Sequence, residues 1–506
     1  MQIYEPTSRE TALPPDPQQG DAVRGREIAV RGIAFDAPPG PGDPGPHAFA
    51  WLRDLRSART AEAQEASRRL VADWIDRYEK SRDRPWWPVI AAERLVNWIY
   101  CHRLLTAGAD ASFMKLYDVS VARHVKRLRK LLKQLPRGAE RFAILKALVY
   151  AGVSLPSHEK GLAKALVALQ SEIEAQILPD GGHHQRNPSI HAAVLSELVQ
   201  LAAALELHQD QTPVWLQSAI DRMAPVLRFF QHKDGGLALF NGSAEEDPVT
   251  VERLLAACMA GDKIPTGLPD TGYQRMERGG VVVLVDTGAP PPRNLDIGAH
   301  ASTLAFEMCV DAQRLIVNCG SYHGDDKAWS RAMRATAAHS TLVVANTNSA
   351  EVYDLGGIGR RPEHVTAERD DLARGLRLEA SHDGYVARYG MVHRRRMELS
   401  ADGRTLRGED RLERKVGNYE FAIRFHIHPD VTAAVEPESS LDNPAVTLRL
   451  PDGQVWRFRA NSGSVGLEES AYLGWPGSAR PTQQIVVAAA CSGVAPVAVS
   501  WSLSEL

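Results

Sequence analysis

The sequence predicts a multidomain α + β protein, with a helical N-terminal domain followed by an all-β C-terminal domain. Three observations carry this. The chain has 506 residues, more than one hydrophobic core ordinarily organises. Apolar residues recur at helical spacing as far as about residue 262, and from Lys263 short apolar runs alternate with turn residues. Helices first and strands afterwards segregate into separate domains, whereas a βαβ fold would interleave them. The expected divisions are an extended or linker segment over 1–46, a helical domain over 47–265 and a β domain over 266–506.

The elements follow in chain order. Met1 to Arg31 carries charges and prolines with no apolar h-region, so it does not read as a signal peptide. No run approaches about 18 uninterrupted apolar residues, and no membrane span is expected. A cytoplasmic setting and a trimmed start both stay open. The segment from Ala37 to His47 (APPGPGDPGPH) reads as a loop. Val125, Leu128, Leu131, Leu132 and Leu135 form one helical stripe, ended by Pro136. Leu162, Leu166, Leu169, Ile173 and Ile177 form a second, and Val194, Leu195, Leu198, Leu201, Ala202 and Leu205 a third. Val281 to Val285 and Arg314 to Asn318 read as strands. Met397–Leu412 and Val446–Ala460 read as hairpins turning at Asp402-Gly403 and Asp452-Gly453.

Composition narrows the partners. Fifty-nine basic residues stand against 62 acidic ones, a formal net charge of −3. There is no global basic field of the kind nucleic-acid binding requires, although a local basic groove for an acidic ligand is compatible with it. The five cysteines are scattered, without a CxxC, and read as buried small hydrophobes; Cys309 and Cys319, on neighbouring strands, leave one disulfide open. Phosphate-cradling glycine loops, a GxSxG elbow and HExxH are absent from the sequence.

Three clusters carry chemistry. Leu178 to His191 (LPDGGHHQRNPSIH) gathers His183, His184, Gln185, Arg186, Asn187 and His191 on a glycine-rich connection. That donor density suits an anionic or polyhydroxylated ligand; the alternative is a loop whose polar groups cap the helix that follows, through Asn187 or Ser189. His300, Asn318 and His339 each sit beside a strand. They offer two imidazoles and an amide oxygen to a structural zinc, or else form a hydrogen-bonded polar core. Ser381 to Tyr385 (SHDGY) brings His382 and Tyr385 together as acid–base candidates, or is simply a turn at Asp383-Gly384. Arg424, His426 and His428 alternate along a strand, where buried hydrogen-bonded histidines are expected. Trp329, between two motifs, is a candidate sugar platform, while Trp86 and Trp87 at a helix start read as core.

These motifs resemble those of heparinase II/III-like proteins. Asp180–Pro188 (DGGHHQRNP) resembles their acidic-Gly-Gly-His loop, Ala299–Glu307 (AHASTLAFE) their histidine–aspartate strand, and Arg334–Thr341 (RATAAHST) their Arg-x-Thr-x-x-His-Asn-Thr segment. The resemblance implies an incomplete α/α toroid, then an antiparallel β-sandwich, with a glycan groove between them. It also implies β-elimination on a uronic-acid polysaccharide or oligosaccharide, without a required cofactor. On this chain the catalytic candidates are then His183, Arg186, Asn187, His191, His339 and Tyr385. Gln185, Trp329, Arg334 and His382 are candidates for substrate binding. The chain departs from the family pattern at Ile190 (a catalytic tyrosine), Gly298 (the first histidine of His-x-His), Ser302 and Asn318 (aspartates). Gly138 to Arg141 stand in place of a helical Asn-His pair. Three readings follow: a divergent lyase with relocated acid and base, a glycan-binding or envelope-polysaccharide assembly protein, and a glycan hydrolase.

Overall fold

The computed structural model describes residues 13–37, 45–209, 211–259, 261, 263–414, 417–436, 444–475, 478–491 and 495–506. Most of the proline- and glycine-rich loop over 37–47 lies outside them. The chain divides into two compact units, Met1–Gln176 with Ala193–Ile220, and Ile177–Ala192 with Asp221–Leu506.

The first unit is helical. Ala111–Gln134 begins where Asp110 accepts from the Phe113 amide, and Ala61–Tyr78 where Thr60 accepts from the Ala63 amide, each filling an orphan donor of the first turn. The three sequence stripes lie in Ala111–Gln134, Leu162–Gln176 and Pro188–Gln209. The last of these is, among the described residues, the one helix long and apolar enough to cross a membrane. Its stripe of Leu195, Leu198, Leu201 and Leu205 is completely buried, as in a core helix. Phe49, Trp74 and Trp98 pack edge to face, and the buried Arg94 guanidinium lies over Trp74 at 4.0 Å while its Nε donates to His124 Nε2.

Two expectations change. Within the stretch read as extended, Ala22–Arg31 is a helix capped by Asp21, whose carboxylate accepts from the Val23 and Arg24 amides. Trp86 is core, as read, but Trp87 is 59% exposed because it caps the helix that Pro88 opens.

The second unit is a β-sandwich. Its described strands pair antiparallel in one sheet of nine and one of eight. In the larger, Tyr273–Arg278, Val281–Asp286, Phe306–Val310 and Gln313–Val317 run consecutively before Tyr419–Ile427 joins. The smaller contains both hairpins read from the sequence, Met391–Ser400 with Thr405–Arg414 and Val446–Arg449 with Val455–Ala460. Val283, Val285, Phe306, Ile423 and Phe425 from one sheet meet Leu378, Met397, Leu412, Phe458 and Trp501 from the other in one core. Every residue of Val281–Asp286 is buried, so this strand is covered on both faces. The five cysteines are free and buried, Cys309 and Cys319 included.

A charged network crosses this core. Asp410 takes two bonds from Arg395 (2.7 and 3.0 Å), one from His393 Nε2 (2.7 Å) and one from Trp501 Nε1 (2.8 Å). Arg395 also donates to the carbonyls of Leu304 and Ser340. Removing one member of a buried pair strands the other's charge. Asp410→Asn is therefore expected to destabilise the sandwich by about 3 kcal/mol or more in urea unfolding. A loss below about 1 kcal/mol would show that Arg395 does not depend on this carboxylate.

Candidate functional site

The loop from Leu178 to Asn187 belongs to the β-rich unit and is shaped by its glycines. Gly181 is left-handed (φ +89°), and a Cβ there would lie 2.1 Å from the Arg222 carbonyl oxygen. Asp180 fastens the loop by accepting from both the amide and the hydroxyl of Thr271, each at 2.7 Å.

Arg186, also left-handed (φ +56°), turns its guanidinium inward. It donates to the carbonyls of Thr271 (2.6 Å), Ala289 (2.8 Å) and Gly272 (2.8 Å) and to Asp286 Oδ1 (2.5 Å), lying over the Tyr273 ring. Its place among the catalytic candidates is thereby corrected, because these donors are committed inside the protein. Asn187 caps Pro188–Gln209 by accepting from the Ile190 amide at 2.9 Å, the capping role weighed from sequence, while its Nδ2 donates to the Asn241 carbonyl.

Asn241 joins the loop to the β region. It is left-handed (φ +51°), its Nδ2 donates to Tyr273 Oη (2.9 Å), and its Oδ1 accepts from the His300 amide (3.2 Å). Asn241 escaped the sequence reading, although the Asn241-Gly242 turn signal marks its position.

At the centre stand His300 and His339, both buried. His339 Nδ1 is 2.8 Å from the Ala335 carbonyl and must donate there, so its Nε2 accepts from His300 Nδ1 at 2.9 Å. His300 Nε2 is left as a bare acceptor with no hydrogen-bond partner among the described residues. Gly242 (φ +89°) packs beside it. A Cβ on that glycine would lie 3.7 Å from His300 Nε2, 3.4 Å from Asn187 Nδ2 and 3.2 Å from the Gly298 carbonyl oxygen. Burial pushes His339 down to about 4, and burial with the neighbouring His339 and Arg334 pushes His300 well below the ordinary histidine range. Both rings are neutral near pH 7. A neutral imidazole with a dry lone pair can take a proton, and its partner can share the charge.

The remaining candidates have other bonds. His191 is buried, donates from Nε2 to the Met223 carbonyl (2.9 Å) and packs edge to face on Phe230. His183 is buried and accepts from the Gln185 amide, and Gln185 itself is half-buried. Arg334 spends its guanidinium on the carbonyls of Ala299, Tyr353 and Gly357 rather than on substrate. Tyr385 and His382 are core, not an acid–base pair. The tyrosine hydroxyl donates to the Leu342 carbonyl, and His382 accepts from the Gly384 amide and contacts His393. His426 is the buried, bonded histidine expected, held by Ser470 and the Ala337 carbonyl. Trp329 is 40% exposed on the helix Lys327–Arg334, 6.1 Å from Tyr322.

Nor do His300, Asn318 and His339 fit a zinc ion. A shared metal needs both imidazole lone pairs aimed at it, whereas here one ring donates to the other. Asn318 Oδ1 accepts from the Ser340 amide, and its Nδ2 donates to the Leu239 carbonyl. Among the described residues no three His, Cys, Asp or Glu side chains gather as a metal site. A second buried pair, His232 Nε2 with Glu307 Oε2 at 2.9 Å, anchors the neighbourhood, since Glu307 also accepts from the amides of Leu239 and Asn318. Burial disfavours the His232 charge, yet Cys309 and Glu307 together raise it to about 9.

Comparison with known proteins agrees with this architecture. Residues 50–259 match the heparinase II/III N-terminus family, and residues 261–500 match the heparinase II/III-like C-terminal family. FtsZ-localized protein C of Caulobacter vibrioides is 30% identical over an alignment of 532 positions that covers 98% of this chain and 90% of that protein. Heparinase III superposes with a TM-score of 0.77 at 12% identity, over 100% of this chain and 88% of its own. A heparan sulfate lyase from Pedobacter heparinus gives 0.70 at 15% identity, over 99% and 86%. Both have the toroid-plus-sandwich fold that this chain shares.

The buried neutral histidines set an acid limit on stability. A histidine near 6.5 when unfolded and near 4 when folded binds fewer protons in the native state between those values. Its contribution is therefore complete above pH 6.5 and is lost as the pH falls towards 4. At pH 5 the loss is about 2 kcal/mol for such a group. Unfolding free energy measured from pH 7.5 to 5 is expected to fall, with a shallower slope in His339→Gln. Equal slopes would place the linkage elsewhere.

Proposed function

Because the chain belongs to the heparinase II/III-like family, whose two domains match it between residues 50 and 500, we propose that it cleaves an acidic, uronate-containing glycan by β-elimination with His300 as the base. The observation that carries this reading is the unpartnered, buried Nε2 of His300 beside the Asn187 amide.

The chemistry explains the pairing. The proton on C5 of a uronate is too weakly acidic to leave until the adjacent carboxylate is neutralised by a hydrogen-bond donor. Asn187 Nδ2 gives one hydrogen to the Asn241 carbonyl and keeps a second for this purpose. His300 takes the C5 proton on Nε2, and its Nδ1 proton shifts towards His339 Nε2, spreading the new charge over two rings. The C5 electron pair forms the C4–C5 double bond as the C4–O4 bond breaks. The proton on Nε2 then passes to the departing O4 on the same face. One residue thus serves as base and acid, which a site with Ile190 in the tyrosine position requires. Structural relatives named as lyases of heparan sulfate and xanthan, and as chondroitin AC lyase, support an acidic glycan as substrate.

A second reading, glycan binding or envelope-polysaccharide assembly without elimination, is favoured by the same Ile190. It is favoured also by the Caulobacter relative, whose name places it with FtsZ.

The test is ultraviolet absorbance of the unsaturated product with a panel of acidic polysaccharides and bacterial envelope glycans. His300→Gln is expected to lower the rate by about 10²–10⁴-fold with an unchanged melting temperature. The wild-type rate should hold as the pH falls through 6.5, since the base is already neutral there. A His300→Gln protein that still forms product at the wild-type rate would sink the assignment. Absence of product on every glycan, with thermal protection by one of them, would favour the second reading.

A further inference from the structure

The β-rich unit holds a hollow of about 210 Å³ that the elimination reading leaves unused and that shares no residue with the His300 cluster. Its floor is the buried Arg314, which donates from Nε to Asp234 Oδ2 (2.7 Å) and from Nη1 to the Leu237 carbonyl (3.0 Å). Beside it, Glu245 accepts from Tyr472 Oη on Oε1 (2.6 Å), while Oε2 stands 3.8 Å from Arg314, beyond hydrogen-bond reach. His428 forms part of the wall, edge to face on Tyr472 at 5.0 Å. Burial pushes His428 down to about 4, leaving it neutral. The rim carries the Asp430–Arg480 ion pair and Trp475, which is 44% exposed at the end of Ser464–Trp475.

A single exposed tryptophan carries little meaning by itself. Here it borders a concave, polar space in which carboxylate acceptors, guanidinium donors and the Gln313 amide converge. A pyranose ring presents the complementary pattern, an apolar C–H face for the indole and a rim of hydroxyls that both donate and accept. The lining has three carboxylates against two guanidiniums and a neutral imidazole, a residual negative charge that repels a uronate. We propose that this hollow is a binding subsite for one non-acidic sugar ring, stacked on Trp475 and hydrogen-bonded by Glu245, Asp234 and Arg314. Its preference is opposite in charge to that of the elimination site, so the chain engages a mixed glycan at two chemically different units.

The experiment is saturation-transfer NMR on the intact chain with glucose, N-acetylglucosamine, glucosamine and glucuronate, each titrated separately. The first three should show saturable binding, and glucuronate should bind at least about tenfold more weakly. Trp475→Ala, at an exposed position, and Glu245→Gln, which keeps an acceptor for Tyr472, should each weaken binding by about tenfold or more with melting unchanged. His300→Gln should leave this binding intact, so failure of either assignment is separable from failure of the other. N-acetylglucosamine binding that survives Trp475→Ala would overturn the proposal. So would tighter binding of glucuronate, or no saturable binding of any non-acidic sugar.

Discussion

The site rests on one buried arginine. Arg186 inserts its guanidinium among the carbonyls of Thr271, Gly272 and Ala289 and against Asp286, fixing the glycine-rich loop on the strands Tyr273–Arg278 and Val281–Asp286. From that anchor the bonds run outward in a chain. The Arg186 carbonyl accepts from Tyr273 Oη and Asn241 Nδ2, the Asn241 side chain holds the His300 amide, and Asp286 Oδ2 accepts from Ser302 Oγ two residues beyond His300. A desolvated guanidinium persists only with its donors satisfied. The loop, the Asn241 turn and the His300 segment therefore have one low-energy arrangement in common. Ser302, which departs from the family's aspartate, acts here as a hydroxyl donor to Asp286.

A second arginine approaches the same segments from the opposite sheet. Arg395, clamped by Asp410, donates to the carbonyls of Leu304 and Ser340, one following the His300 segment and the other adjoining His339. Arg334 works alike, capping the carbonyls of Ala299, Tyr353 and Gly357, and Arg314 caps that of Leu237. Non-strand segments at sheet ends have carbonyls that no ladder satisfies, and one guanidinium supplies five donors. Such buried charges add little net stability, but they select one geometry. That suits the proposed site, in which His300 Nε2 would be held in place before substrate arrives.

This explains which parts were legible in the sequence. Hairpins at Asp402-Gly403 and Asp452-Gly453, and the three leucine-rich stripes, are local signals whose cause lies within a few residues. The motif arginines misled because sequence records a donor's presence but not its direction. Arg186 faces inward only because residues 85 to 103 positions away supply its acceptors. Asn241 reaches His300 across 59 positions, and Glu307 reaches His232 across 75, so neither pairing had a local trace. Tyr385 looked like an acid beside His382. It is core because its strand, Gly375–Tyr385, turns both rings inward. His300 and His339 read as either zinc ligands or a hydrogen-bonded polar core, and the second is what the structure shows.

His300 is a buried histidine whose bonding is unfinished. His426 and His393 have partners at both nitrogens. His191 likewise leaves its Nδ1 without a hydrogen bond. A buried acceptor left unmade costs about 1–3 kcal/mol, a cost a ring free to turn would avoid. The His300 ring is held by His339 at Nδ1, and its backbone by Asn241. Gly242 packs beside the buried lone pair, and a Cβ there would lie 3.7 Å from Nε2 and 3.2 Å from the Gly298 carbonyl oxygen. The held ring and its bare nitrogen are the features on which the proposed base rests.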